Sequence, residues 1–138
     1  MSNIEHTVVI IKPDGVRRKL IGEIISRFER RNLIITRLKM IKISREQAEV
    51  LYSEHKNKPF FESLINFTIS GTVVVMMLAG INAINVVRRI IGSAENANPG
   101  TIRGDLAETH PIMQNVVHAS DSLKSAIYEI ELFFVEGK

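Results

Sequence analysis

Apolar residues are arranged along the chain in two ways, and the difference separates strands from helices. Thr7-Val8-Val9-Ile10-Ile11 and Thr72-Val73-Val74-Val75-Met76-Met77-Leu78-Ala79 are unbroken apolar runs, as expected of strands buried on both faces. Pro13 stops the first and Gly80 the second, and Lys12-Pro13-Asp14-Gly15 reads as a turn. From Leu33 to Ile43, apolar Leu38 and Met40, with Thr36, alternate against Arg37, Lys39 and Lys42, which predicts a strand with one apolar face. Val116-Val117-His118 is short and strand-like.

Elsewhere the apolar residues recur every three or four positions. Ile21, Ile24, Ile25 and Phe28 predict a helix from Leu20 to about Arg31, with Asn32 as its stop. Ser44 and Gln47 form a capping box for a helix that carries Ala48, Leu51 and Tyr52 to about Lys56, where Asn57-Lys58-Pro59 breaks it. Phe60-Phe61 opens another helix through Leu64, Ile65 and Phe67, closed by Ser70-Gly71. Two adjacent rings cannot face the same way, so one of them is left partly exposed. Ile84, Val87, Ile90 and Ile91 mark a helix with Arg88 off its apolar stripe, and Leu123 to about Leu132 is the last helix.

The order is strand, helix, strand, helical pair, strand, helix, strand, helix. Without the inserted helical pair and the final helix, this is a split β-α-β arrangement. The expected fold is therefore α+β: a ferredoxin-like sandwich with a four-stranded antiparallel sheet covered by helices.

Composition narrows the setting. A chain of 138 residues suits a single domain, 1–138, able to bury a core without staples, and the lack of cysteine excludes disulfides and thiolate metal sites. No window approaches the ~18 uncharged apolar residues of a membrane span. Met-Ser-Asn-Ile-Glu-His has no basic region leading into an apolar core, so the expected compartment is the cytoplasm. The formal charge of +3 is too small to imply nucleic acid, but it suits a polyanionic small ligand if the arginines converge.

Candidate chemistry concentrates in Asn115-Val116-Val117-His118-Ala119-Ser120-Asp121-Ser122. A neutral imidazole is a good nucleophile near pH 7 when a partner on one ring nitrogen fixes the tautomer and aims the other; Glu129 is the expected partner. Taken alone, a histidine between apolar neighbours is as much the mark of a packed strand end, and Ser-Asp-Ser that of a helix start. Gly100-Thr101-Ile102-Arg103-Gly104-Asp105 continues a loop from Gly92 to Pro99 and has the composition to hold an anion with backbone N–H groups and a guanidinium, though such loops are as often structural.

Together these stretches resemble the nucleoside diphosphate kinase family. The resemblance rests on Ile11-Lys12-Pro13-Asp14-Gly15, Glu54-His55-Lys56 with Pro59-Phe60-Phe61, Ser70-Gly71, Pro99 to Asp105, and Asn115-x-x-His118-x-Ser120-Asp121-Ser122, in order from about Ile4 to Phe134. It implies ping-pong transfer of a γ-phosphate from a nucleoside triphosphate, typically ATP, through His118 to a nucleoside diphosphate. By the same resemblance Glu129 and Ser120 orient His118, and Tyr52 stands near the phosphohistidine. Lys12 and Asn115 meet ribose and phosphates, Arg88 and Arg103 bind phosphates, and Phe60 stacks on the base. Mg²⁺ is expected on the nucleotide phosphates, with no protein metal site, and a homo-oligomer, hexamer or tetramer, is implied; nucleic acid is not required. His55, beside Lys56, is expected to be dispensable for phosphoenzyme formation.

Departures from the family pattern are confined to backbone and loops. Gly92-Ser93-Ala94 stands where the family usually has a threonine after the glycine, so a phosphate hydroxyl is missing at Ala94 unless Ser93 supplies it. The loop from Gly92 to Pro99 is two residues shorter than usual and Arg103 to Asn115 two longer, with His110-Pro111 inside. Thr72 replaces a usual proline and Ala119 a usual glycine. A non-catalytic nucleotide-sensing or nucleic-acid-binding module would leave Asn115, His118, Ser120 and Glu129 unexplained, and a structural oligomerisation domain would leave the arginines unexplained too.

Overall fold

The computed structural model describes residues 3–108 and 114–135. Its elements are β1 (Ile4–Ile11), α1 (Pro13–Arg17), α2 (Ile21–Glu29), β2 (Ile34–Ile41), α3 (Arg45–Leu51), a 3₁₀ turn (Ser53–His55), α4 (Phe61–Thr68), β3 (Val73–Ile81), α5 (Ala83–Ile91), α6 (Ile102–Leu106), β4 (Val117–Ala119) and α7 (Leu123–Phe134). The sheet runs β2-β3-β1-β4, antiparallel at every pairing, so the two unbroken apolar runs are its central strands. The α+β sandwich expected from the pattern is the fold observed.

Burial on both faces follows from this order. Val9, Ile11, Val74, Met76 and Leu78 pack with Ile24 and Phe28 of α2 and with Val87, Ile90 and Ile91 of α5. On the opposite face Val8, Ile10, Val73 and Val75 pack with Leu51, Leu64, Ile65, Phe133 and Phe134. His118 pairs with Ile10 across β1 and β4, which places it on this second face, toward α3 and α7.

Several expectations need correction. Lys12-Pro13-Asp14-Gly15 is no simple turn: Pro13 begins α1, where its missing N–H costs nothing. The anion-suited loop folds at Ile102 into α6, with the Thr101 hydroxyl accepting the Gly104 N–H as a cap, so that hydroxyl is committed locally. The helix opened by Ser44 ends at Leu51, short of Lys56, while α7 continues to Phe134. β3 passes through Gly80 to Ile81.

The largest change is in β2. Leu38 and Met40, expected on an apolar face, are 52% and 58% exposed. The register slips between Ile35 and Arg37, leaving Thr36 as an extra residue whose hydroxyl donates to Met77 O at 3.1 Å. Beyond the bulge, Leu38 and Met40 face the same way as their partners Met76 and Val74, at an edge the helices do not cover. Arg37 and Lys39 take the other face, where both cations lie over the Phe134 ring.

Candidate active site

His118 is held by two elements that local sequence specifies well. β4 aligns it opposite Ile10, and Ser120 extends the ladder, its N–H donating to Val8 O at 3.0 Å and its Oγ accepting from Val8 N at 3.2 Å. The chain then enters α7 through a capping box in which Ser122 and Ser125 exchange bonds. Seven residues after Ser122, the helix returns Glu129 to the histidine. Glu129 is 2% exposed, and its Oε1 lies 3.2 Å from His118 Nε2 and 2.8 Å from Ser120 Oγ.

That carboxylate oxygen is an acceptor for both neighbours, so the ring proton belongs on Nε2. Nδ1 is left unprotonated, with its lone pair available. The Tyr52 ring stands edge-on to the imidazole at 5.7 Å, and its hydroxyl bonds the Thr68 side chain; burial, above all, raises its pKa.

A cavity of about 430 Å³ opens on this histidine. Tyr52, Arg88, Ala94, Arg103, His118 and Glu129 line it, six of the residues picked from sequence. Arg103 comes from α6, with Nη1 donating to Gly92 O at 3.0 Å and Nη2 to Val117 O at 2.7 Å. Its Nε is buried without a partner among the described residues. Burial lowers the Arg103 pKa to about 10, helped by the nearby charge of Arg88. Two guanidiniums held close together against their own repulsion are a standing attraction for a polyphosphate.

Lys12 and Asn115 are not among the residues lining the cavity; they are linked to each other by Lys12 Nζ donating to Asn115 Oδ1 at 2.8 Å. Burial lowers the Lys12 pKa to about 7, the charge of Arg103 pushes the same way, and Asp14 opposes it. Ser120 stands behind Glu129. Phe60 precedes α4, 43% exposed, its ring 5.4 Å from His55, while Phe61 packs into the core; this is the split expected of the pair. Ser93 points its hydroxyl into its own loop, where it accepts the N–H groups of Glu95 and Asn96 at 3.2 and 3.4 Å.

Some cavity residues are given no role at the site by the sequence. His55 lines the wall between Tyr52 and Phe60 with Nδ1 buried and unpartnered among the described residues. Asp121, Lys124, Ser125 and Tyr128 also line it; their three- and four-residue spacing is legible only once α7 is known to turn that face inward. His110-Pro111 lies outside the described residues.

A buried acid behind a histidine, at the foot of an arginine-lined cavity on an antiparallel sheet, is an arrangement suited to phosphoryl transfer. Residues 5–138 match the family model described as nucleoside diphosphate kinase. A nucleoside diphosphate kinase of Staphylothermus marinus is 58% identical, covering 99% of this chain and 96% of the relative, and one of Methanocaldococcus jannaschii is 56% identical over 97% and 96%. Among solved structures, a halophilic nucleoside diphosphate kinase from Halobacterium salinarum in complex with CDP superposes with a TM-score of 0.92 at 40% identity, covering 97% of this chain and 90% of that one. The Aquifex aeolicus nucleoside diphosphate kinase gives 0.91 at 37%, covering 97% of each. The chain belongs to the nucleoside diphosphate kinase family, enzymes that transfer phosphate from nucleoside triphosphates to nucleoside diphosphates through a phosphohistidine.

Proposed function

We propose that His118 carries the phosphate, on Nδ1. In the first half-reaction Nδ1 attacks the γ-phosphorus, an N–P bond forms, and the bond from that phosphorus to the bridging oxygen breaks, releasing the diphosphate. In the second, a β-phosphate oxygen of another nucleoside diphosphate attacks the same phosphorus and the N–P bond breaks. The Nε2 proton stays in place throughout, and Glu129 balances the positive charge the ring gains on phosphorylation. The observation that carries this reading is the 3.2 Å approach of buried Glu129 Oε1 to Nε2, because it fixes which nitrogen is free.

Arg88 and Arg103 take the phosphates from the cavity wall, Tyr52 packs the carrier ring, and Lys12 with Asn115 meets ribose and phosphate from the side. Ser120 holds Glu129. Phe60 offers an exposed ring on which any base can stack. Mg²⁺ would be carried by the nucleotide phosphates, whose remaining oxygens the cavity's cations suit. When bound, the ion supplies added charge neutralisation on the phosphates.

The exposed edge strand supports assembly. Leu38 and Met40 are 52% and 58% exposed on one face of β2, an apolar edge that a second copy of the chain would cover, and we place the enzyme in a homo-oligomer, hexamer or tetramer. Molecular mass in solution decides the number. No helix among the described residues is long and apolar enough to cross a membrane, and nucleotide substrates suit the cytoplasmic setting expected from the sequence.

Incubation with γ-labelled ATP and Mg²⁺ followed by denaturing electrophoresis tests the reading. A label stable in alkali, lost in acid and absent from His118→Ala is expected. Continued exchange of phosphate between nucleotides by His118→Ala would remove His118 from the mechanism.

A further inference from the structure

Val116 has φ +77° although it carries a branched Cβ, and it is fully buried two residues before His118. Val117 N–H donates to Asn115 O at 2.9 Å across that single residue, so 115–117 form the positive-φ γ-turn, a strained arrangement for such a side chain. A turn of this kind persists only where its surroundings over-determine it. Here the restraints come from one tetrapeptide.

Lys12 N–H donates to Val116 O at 2.8 Å, and Val116 N–H donates to Asp14 Oδ2 at 3.1 Å, so both backbone groups of the strained residue are engaged. Gly15 leaves room for the approach: a Cβ there would stand 2.8 Å from Ile11 Cγ2 and 3.2 Å from both Val116 Cγ1 and Val116 O. Asp14 is itself 2% exposed and reaches across 102 positions of sequence. The turn it grips bears Asn115 on one side and leads into β4, with His118, on the other.

We propose that Asp14 is a positioning residue for phosphoryl transfer: its carboxylate holds Val116 in the γ-turn and thereby sets the aim of His118 and the place of Asn115. Asp14 touches no reacting atom. Its charge also favours the protonated form of Lys12, a separate effect that the test must resolve.

The inference rests on His118 as carrier, which mapping the label in the wild-type protein checks independently; a label on another residue overturns both readings. The measurement is the single-turnover rate of phosphoenzyme formation at saturating ATP and Mg²⁺, for Asp14→Ala in the native and the Val116→Gly backgrounds. Glycine adopts positive φ without penalty, so in its presence the turn no longer depends on the clamp. Asp14→Ala should slow the step by roughly 10- to 100-fold beside Val116 but by less than about threefold in the Val116→Gly background. Equal losses in the two backgrounds overturn the proposal. So does full recovery of Asp14→Ala at pH 6 with Val116 intact, which would assign the loss to the charge of Lys12. Should Asp14→Ala fail to give a cooperative unfolding transition, Asp14→Asn carries the test: its weaker neutral acceptor should slow the step roughly three- to tenfold, again only beside Val116.

Discussion

Ser120 and His118 converge on one oxygen: Glu129 Oε1 accepts from Ser120 Oγ at 2.8 Å and stands 3.2 Å from His118 Nε2. The hydroxyl fixes the carboxylate and the carboxylate fixes the ring, so the tautomer is decided two side chains away from the reacting nitrogen. The phosphate is expected on Nδ1. Phosphorus and nitrogen NMR of the phosphoenzyme should show the Nδ1 isomer alone; a signal from the Nε2 isomer would mean that Glu129 does not hold the ring when phosphate is bound.

Glu129→Gln keeps a hydrogen-bonding group but removes the charge that offsets the phosphorylated ring. We expect the phosphorylation rate to fall by about ten- to a hundredfold without complete loss. Ser120→Ala removes only the strut and should cost less. Stopped-flow rates for both variants give the comparison, and the reverse order would move the orienting role to Ser120.

Ala94 lines the cavity where the family pattern carries a hydroxyl, and Ser93 turns its own hydroxyl back to Glu95 and Asn96. Ala94→Thr should therefore tighten ADP binding with Mg²⁺. A hydrogen bond to a charged group contributes about 1.5–3 kcal/mol, so a gain of roughly tenfold is expected by calorimetry. Ser93→Ala should change affinity little. A marked loss in that variant would show that Ser93 serves the phosphates after all.

Lys12 has a folded-state pKa near 7 against an ordinary 10.5. Between those values the unfolded chain binds the proton and the folded chain does not, so this residue's penalty on stability is largest below about pH 7 and fades as pH rises toward 10.5. Lys12→Met removes the penalty along with the ligand. Its melting temperature should exceed that of the wild type by a few degrees or so at pH 6, and the gap should narrow by pH 9. A gap independent of pH would place the Lys12 pKa elsewhere.

Local sequence already determined the central strands, since only unbroken runs such as Val8 to Ile11 and Val73 to Met77 satisfy burial on two faces. Ser44 and Ser122 likewise marked their helix starts, because a cap is a contact over three residues. His118, Glu129, Arg88 and Arg103 were legible as residue types in order. Contacts between distant positions decided the rest. The bulge at Thr36 exists because β2 must pair with β3, and it carried Leu38 and Met40 to an uncovered edge that alternation alone assigns to the core. Asp14 reads as a turn residue until the fold sets it beside Val116, and the positive φ there has no local signature in a valine. His55 and Tyr128 reach the cavity only because α3 and α7 pack over the same sheet face. Propensities and caps act within a turn of chain, whereas strain, register and cavity walls are energies of approach across the whole fold, and only the tertiary structure expresses those.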